Sequence, residues 1–166
     1  MSSRLAVQSP VVIVPSSSAT VIERNAAALM AAELRARYGL QVHICDHEQV
    51  CEASLRVQLG VQGRDPLPLA EMAAPTLSPE GLHIAVASQS AVTTVYVLGG
   101  GPRGVLYGVD EVLDRLQRSG DGTLDLTPVV QEPDNILRGA TFVGHSDLFA
   151  PPGSAEAEAK IGRAHV

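Results

Sequence analysis

The stretch Thr93-Thr-Val-Tyr-Val-Leu-Gly-Gly-Gly-Pro-Arg-Gly-Val-Leu-Tyr-Gly-Val-Asp-Glu-Val-Leu-Asp-Arg-Leu116 decides how the rest of the chain is read. Thr94 to Leu98 is short, β-branched and aromatic, which suits a buried strand. Gly99, Gly100 and Gly101 make a turn that side chains would crowd. Pro102 then stands where a first helical residue tolerates it, since its missing N–H would have no partner there. At about 100° per residue, Val105, Leu106, Val109, Val112, Leu113 and Leu116 fall on one apolar arc. Gly104 and Gly108 lie on its flank, one turn apart, and permit close packing on a sheet. Arg103, Tyr107, Asp110 and Asp114 share the opposite face.

Gly99-x-Gly101-x-x-Gly104 matches the dinucleotide fingerprint, which would seat a pyrophosphate on the helix N-terminus. That fingerprint also needs an acid at the end of the next strand, about 20 residues on. Asp121 and Asp125 stand near that distance, but the segment carrying them is cut by Pro128 and no second nucleotide half follows. An NAD(P)- or nucleotide-binding fragment is therefore the alternative reading, and the favoured one needs no cofactor.

Outward from this core, Val11 to Val14 is a continuous apolar run of the kind found in strands covered on both faces. Met1 to Gln8 reads as a polar lead-in. Thr20-x-x-Glu23 is a capping box that opens a helix running to about Tyr38. Its expected apolar arc holds Val21, Ile22, Ala26, Leu29, Met30, Ala32, Leu34 and Ala36. Glu33 lies inside that arc and is read as the partner of Arg37 four residues on, rather than as a catalytic acid. Gly39 stops the helix. Leu40 to Asp46 alternates as a strand, with His43, Cys45 and His47 on one face. These three have ligand types suited to zinc, with Cys51 close by, or else form a half-buried strand face. Leu55 to Leu59, Leu82 to Val86 and Thr93 to Leu98 are further strands, and the last two read as an antiparallel pair. Gly63 to Pro79 is a loop. The expected fold is α/β (α+β): a mixed sheet with two helices packed on one face in the order β-α-β-β-β-β-α, with a trailing strand.

The segment from Gly99 through Tyr107-Gly108 to Leu116 resembles the small α/β domain that precedes the catalytic barrel in glycoside hydrolases of the family 20 β-hexosaminidase and family 67 α-glucuronidase type. Glu80-Gly81-Leu82-His-Ile-Ala-Val86 is similar to a strand of that domain, with Leu82 where an aromatic is usual. The resemblance covers roughly residues 10–140. It implies a non-catalytic domain over residues 1–133, a (β/α)8 barrel beginning within residues 134–160, and Arg138-Gly139 on the first barrel strand. The implied partner is that barrel, and carbohydrate would be met only through it. Arg138, His145 and Asp147 are the substrate-binding candidates, because barrels place their sites at the C-terminal ends of their strands. Where family 20 enzymes carry a substrate-binding arginine, this chain has Ser146. The domain-packing candidates are Gly99, Gly101, Gly104, Gly108, Arg103 and Tyr107, the last two for contact with the barrel.

Bulk properties narrow the function. The chain has 166 residues and a net charge of −6, which argues against nucleic acid or an anionic membrane as partner. It has no Trp, so it lacks the residue best suited to stack on sugars. No apolar run nears the ~20 residues of a membrane span. No basic start precedes an apolar run, so a cytoplasmic protein is the default expectation. No carboxylate pair has a context that marks a glycosidase acid and base, which work about 5–9.5 Å apart; catalytic residues, and bound metal, are not expected in this part. Residues 161–166, Ile161-Gly-Arg-Ala-His-Val166, read as one frame of a common sequencing adapter, so the natural sequence is expected to stop near Lys160, within a truncated barrel.

Overall fold

A computed structural model describes residues 4–45, 53–65, 75–89 and 92–133. The order is β1 (Arg4–Ala6), β2 (Val11–Val14), α1 (Val21–Tyr38), β3 (Val42–Ile44), β4 (Leu55–Val61), β5 (Leu82–Gln89), β6 (Val92–Gly99), α2 (Pro102–Ser119), β7 (Thr123–Asp125) and β8 (Val129–Gln131). A six-stranded sheet runs β3-β2-β4-β6-β5-β8, and β1 pairs with β7 in a separate two-stranded ribbon. β2 is parallel to β3 and to β4, and β4 is parallel to β6. β5 runs antiparallel to both β6 and β8. The fold is the mixed α/β arrangement expected, with two additions. The lead-in carries a strand, and the chain resumes as β8 just beyond Pro128.

Alternation along the strands sends Val11, Ile13, Val57, Leu59, Val95, Val97, Leu82 and Ile84 into one core with both helices. On the reverse face Val12 and Val14 pack with Cys45, and Leu77 packs on Ala85, Tyr96 and Leu98.

Both helix faces differ from the expected arcs. In α1 the buried residues are Glu23, Ala26, Ala27, Met30, Ala31 and Leu34. Val21 is 71% exposed, Ile22 40% and Leu29 41%; Ala32 and Ala36 are exposed too. Three small alanines face inward beside Met30 and Leu34 and let α1 pack on α2 and the sheet, while Val21, Ile22 and Leu29 are left outside. In α2 the buried set is Gly104, Val105, Gly108, Val109, Val112 and Leu116. The glycines sit within the buried face, and Leu106 and Leu113 move to its partly buried edge.

Candidate functional site

The glycine turn between β6 and α2 is filled by the protein's own backbone. A Cβ on Gly100 would overlap the Ser78 carbonyl, and one on Gly101 would stand 2.8 Å from the Pro79 carbonyl oxygen. A Cβ on Gly104 would overlap the Gly81 carbonyl and come within 3.0 Å of Gly99 Cα. The Gly100 amide donates to the Gly81 carbonyl at 2.9 Å. A pyrophosphate would need the space and the amide that the 78–81 turn occupies. The topology agrees: α2 leads into β7, which pairs with β1, so no parallel strand follows the helix as a dinucleotide unit requires. The glycines of the fingerprint serve close packing.

A polar network closes the C-terminal ends of the parallel strands β2 and β4. Glu23, fully buried, accepts from the Thr20 amide at 2.9 Å and from the Thr20 hydroxyl at 2.8 Å. Arg64 donates to both Glu23 oxygens, at 3.1 and 2.5 Å. Arg64 also pairs with Asp65 at 2.8 Å. Asp65 in turn accepts from the Ser16 and Ser18 hydroxyls at 2.5 and 2.8 Å and from the Val61 amide at 2.8 Å. Burial pushes the Asp65 carboxyl up, but the donors from Arg64, Ser16, Val61 and Ser18 outweigh it and hold the group well below its usual range. Glu23 is lowered in the same way: burial opposes, and Arg64 with Thr20 prevails. This is where α/β folds often bind ligands. Here the donors and acceptors are spent on one another, so the network is a clasp between the β2–α1 loop and the end of β4. The capping box was legible in the sequence; the partnership with Arg64 was not.

The other predicted residues are placed as follows. Arg103 is exposed and donates to Glu80 at 3.1 Å. Tyr107 is half-buried and packs against the main core. Asp110 and Asp114 are exposed. Glu33 pairs with Arg37 at 2.5 Å, as its spacing suggests. His43 is exposed, whereas Cys45 is buried and disulfide-bonded, so it has no thiolate to offer a metal. Among the described residues no three ligating side chains gather for a metal ion, and none of the helices is long and apolar enough to cross a membrane. His47, Cys51, Arg138, Ser146, His145, Asp147 and the adapter-like hexapeptide lie outside the described residues.

One feature has no single sequence motif. A cleft of about 350 Å³ opens where α2, β7 and β8 meet the first residues of β1. Arg115 forms its floor: the side chain is 9% exposed, Nε donates to Glu111 at 2.8 Å, and Nη1 donates to the carbonyls of Asp125 and Thr127 at 3.2 and 2.6 Å. Arg4 and Arg118 stand at its rim. The spacing of Glu111, Arg115 and Arg118 along one helix was visible, but the arrival of Arg4 from the far end of the chain was not.

No protein-family model and no curated protein matches the chain. Solved structures do. A GH138 enzyme targeting pectin rhamnogalacturonan II superposes with a TM-score of 0.53 at 23% identity. That match covers 78% of this chain and 12% of the enzyme. A GH115 4-O-methyl-α-glucuronidase with specificity for decorated arabinogalactans superposes with a TM-score of 0.53 at 21% identity. It covers 78% of this chain and 18% of that one. The fold is thus that of an α/β domain forming a small part of glycoside hydrolases, and these two belong to other families than 20 and 67.

Proposed function

We propose that this chain is a non-catalytic domain of a glycoside hydrolase that braces the enzyme's catalytic barrel. The observation that carries the reading is the fold match: most of this chain superposes on a small fraction of two glycosidases. The packed glycine turn supports it, because the motif most suggestive of an independent ligand is used up in holding α2 to the sheet. On this reading Arg138-Gly139 opens the first barrel strand, and His145 and Asp147 follow it toward the substrate. Carbohydrate then reaches the protein through the barrel, and the domain contributes stability and orientation.

The purified chain should not hydrolyse a panel of aryl α- and β-glycosides and glucuronides. Reading the gene onward from source DNA should reveal strand–helix repeats with carboxylates at strand ends. Hydrolysis by this chain alone, or an in-frame stop directly after Lys160, would overturn the reading; the stop would leave a stand-alone interaction module.

A further inference from the structure

We propose that Cys45 and Cys51 form a structural disulfide that staples the edge of the sheet, and that the domain is built to fold in an oxidising compartment. This rests on the topology around Cys45 and is independent of the glycosidase reading. Cys45 is disulfide-bonded. The chain has two cysteines, so Cys51 is the partner that the same chain can offer.

The bond sits where the sheet is least supported. β3 is a three-residue edge strand, paired on one side only, with β2. Of its side chains Val42 is buried, whereas His43 and Ile44 are exposed. Its C-terminal end is held by Cys45, which is 5% exposed, packs with Val12 and Val14, and donates its amide to the Ile13 carbonyl at 3.0 Å. The chain must then return from β3 to β4, on the other side of β2. Both strands run parallel to β2, and parallel strands are usually joined by a dozen or more residues, often a helix. Here only residues 45–54 are available. A right-handed return belongs on the face opposite α1. Both of its described ends lie there, since Ala53 packs against the same Val12, Val14 and Cys45. A covalent bond in this short return takes the place of a packed crossover helix.

The compartment follows from the chemistry. A dithiol reductant breaks the S–S bond, supplies two electrons and two protons to give two thiols, and is itself left as a disulfide. The cytoplasm keeps thiols reduced, whereas structural disulfides persist in secreted, periplasmic and cell-surface proteins. The cytoplasmic expectation drawn from the sequence therefore gives way to an exported domain. In the chain-entropy account, closing a loop of about seven residues shifts the folding equilibrium toward the native state by roughly fifty-fold.

The test uses the whole chain equilibrated in an oxidising glutathione buffer. Denatured in iodoacetamide, it should take up no alkyl group before treatment with dithiothreitol and one on each cysteine after it, and it should run as a monomer on a non-reducing gel. Reduction should lower the urea midpoint by the equivalent of roughly fifty-fold in the folding equilibrium, or abolish folding. It should also speed hydrogen exchange at the Cys45 amide by at least about tenfold. Cys51→Ala keeps the packing of Cys45 and removes only the bond, so its midpoint should match the reduced parent and ignore dithiothreitol. Free thiols at both positions after oxidation, a disulfide-linked dimer, or a Cys51→Ala midpoint equal to that of the oxidised parent overturns the proposal.

Discussion

Gly108 of α2 lies directly against Val97 of β6, so close that a Cβ on Gly108 would overlap the Val97 Cγ1 methyl. Helix propensity alone would make Gly108→Ala stabilising by about 1 kcal/mol. The contact reverses the sign, because a valine methyl in a packed core has nowhere to go, and overpacking costs about 1–3 kcal/mol. Gly104→Ala should cost more, since its Cβ meets the Gly81 carbonyl and the Gly99 backbone. Urea denaturation of both variants checks this; a gain in stability in either would show that α2 has room to move off the sheet.

The Glu23–Arg64–Asp65 clasp makes the domain acid-sensitive. Both carboxyls are lowered on folding, so the unfolded chain binds protons more readily and the clasp contributes fully above the ordinary values of 4.5 and 3.8. Stability should hold from neutral pH to about 5 as far as these groups decide it, and fall as pH drops through 4. Arg64→Ala strands a fully buried Glu23 and should cost about 3 kcal/mol or more at pH 7. Asp65→Asn should lower stability at pH 7 and flatten the acid limb. Unfolding titrations at fixed pH values test both, and an unchanged acid limb in Asp65→Asn would remove the clasp from the explanation.

Arg103 and Tyr107 should separate in the isolated domain. The Arg103–Glu80 pair has an arginine side chain 64% exposed, so Arg103→Ala should change stability by less than about 1 kcal/mol. Tyr107 packs on the core, so Tyr107→Ala should cost about 1–3 kcal/mol there. If the proposed barrel follows, a docking role for Arg103 shows only in a longer protein that includes it, as a weaker coupling of the two domains' melting transitions. Equal losses in the isolated domain would deny Arg103 that role.

Pattern made the long elements readable: two helices with punctuated ends and strands of β-branched runs left little choice of fold. Longer-range facts were hidden. The three-residue strands β1 and β7 are too short to signal themselves, and they form only by backbone pairing with each other, Arg4–Ala6 against Thr123–Asp125, across nearly the whole described chain. The inward face of α1 escapes hydropathy because Val21, Ile22 and Leu29 outweigh alanine on any scale, yet they lie outside while Ala27 and Ala31 join Met30 and Leu34 in the core. Glu23 looked like a cap and became a buried ion because its partner stands 41 residues away.

His83 should add a second, separate pH dependence. It is 6% exposed, and its Nδ1 has no hydrogen-bond partner. Its cross-strand neighbours Leu98 and Val130 carry no charge to support an imidazolium. Burial therefore lowers its pKa from the ordinary 6.5. The unfolded chain takes up this proton first as pH falls, so the contribution of neutral His83 is full above 6.5 and declines below it, well before the carboxylate clasp is affected. Replacing the ring with an apolar side chain removes the orphaned nitrogen, and His83→Leu should be at least as stable as the parent at pH 7.5. It should also lose the decline that sets in below about pH 6.5. Imidazole proton shifts followed by NMR report the same event directly. A His83 titration at or above 6.5 in the folded chain would mean that the ring has found a partner and that burial does not govern it.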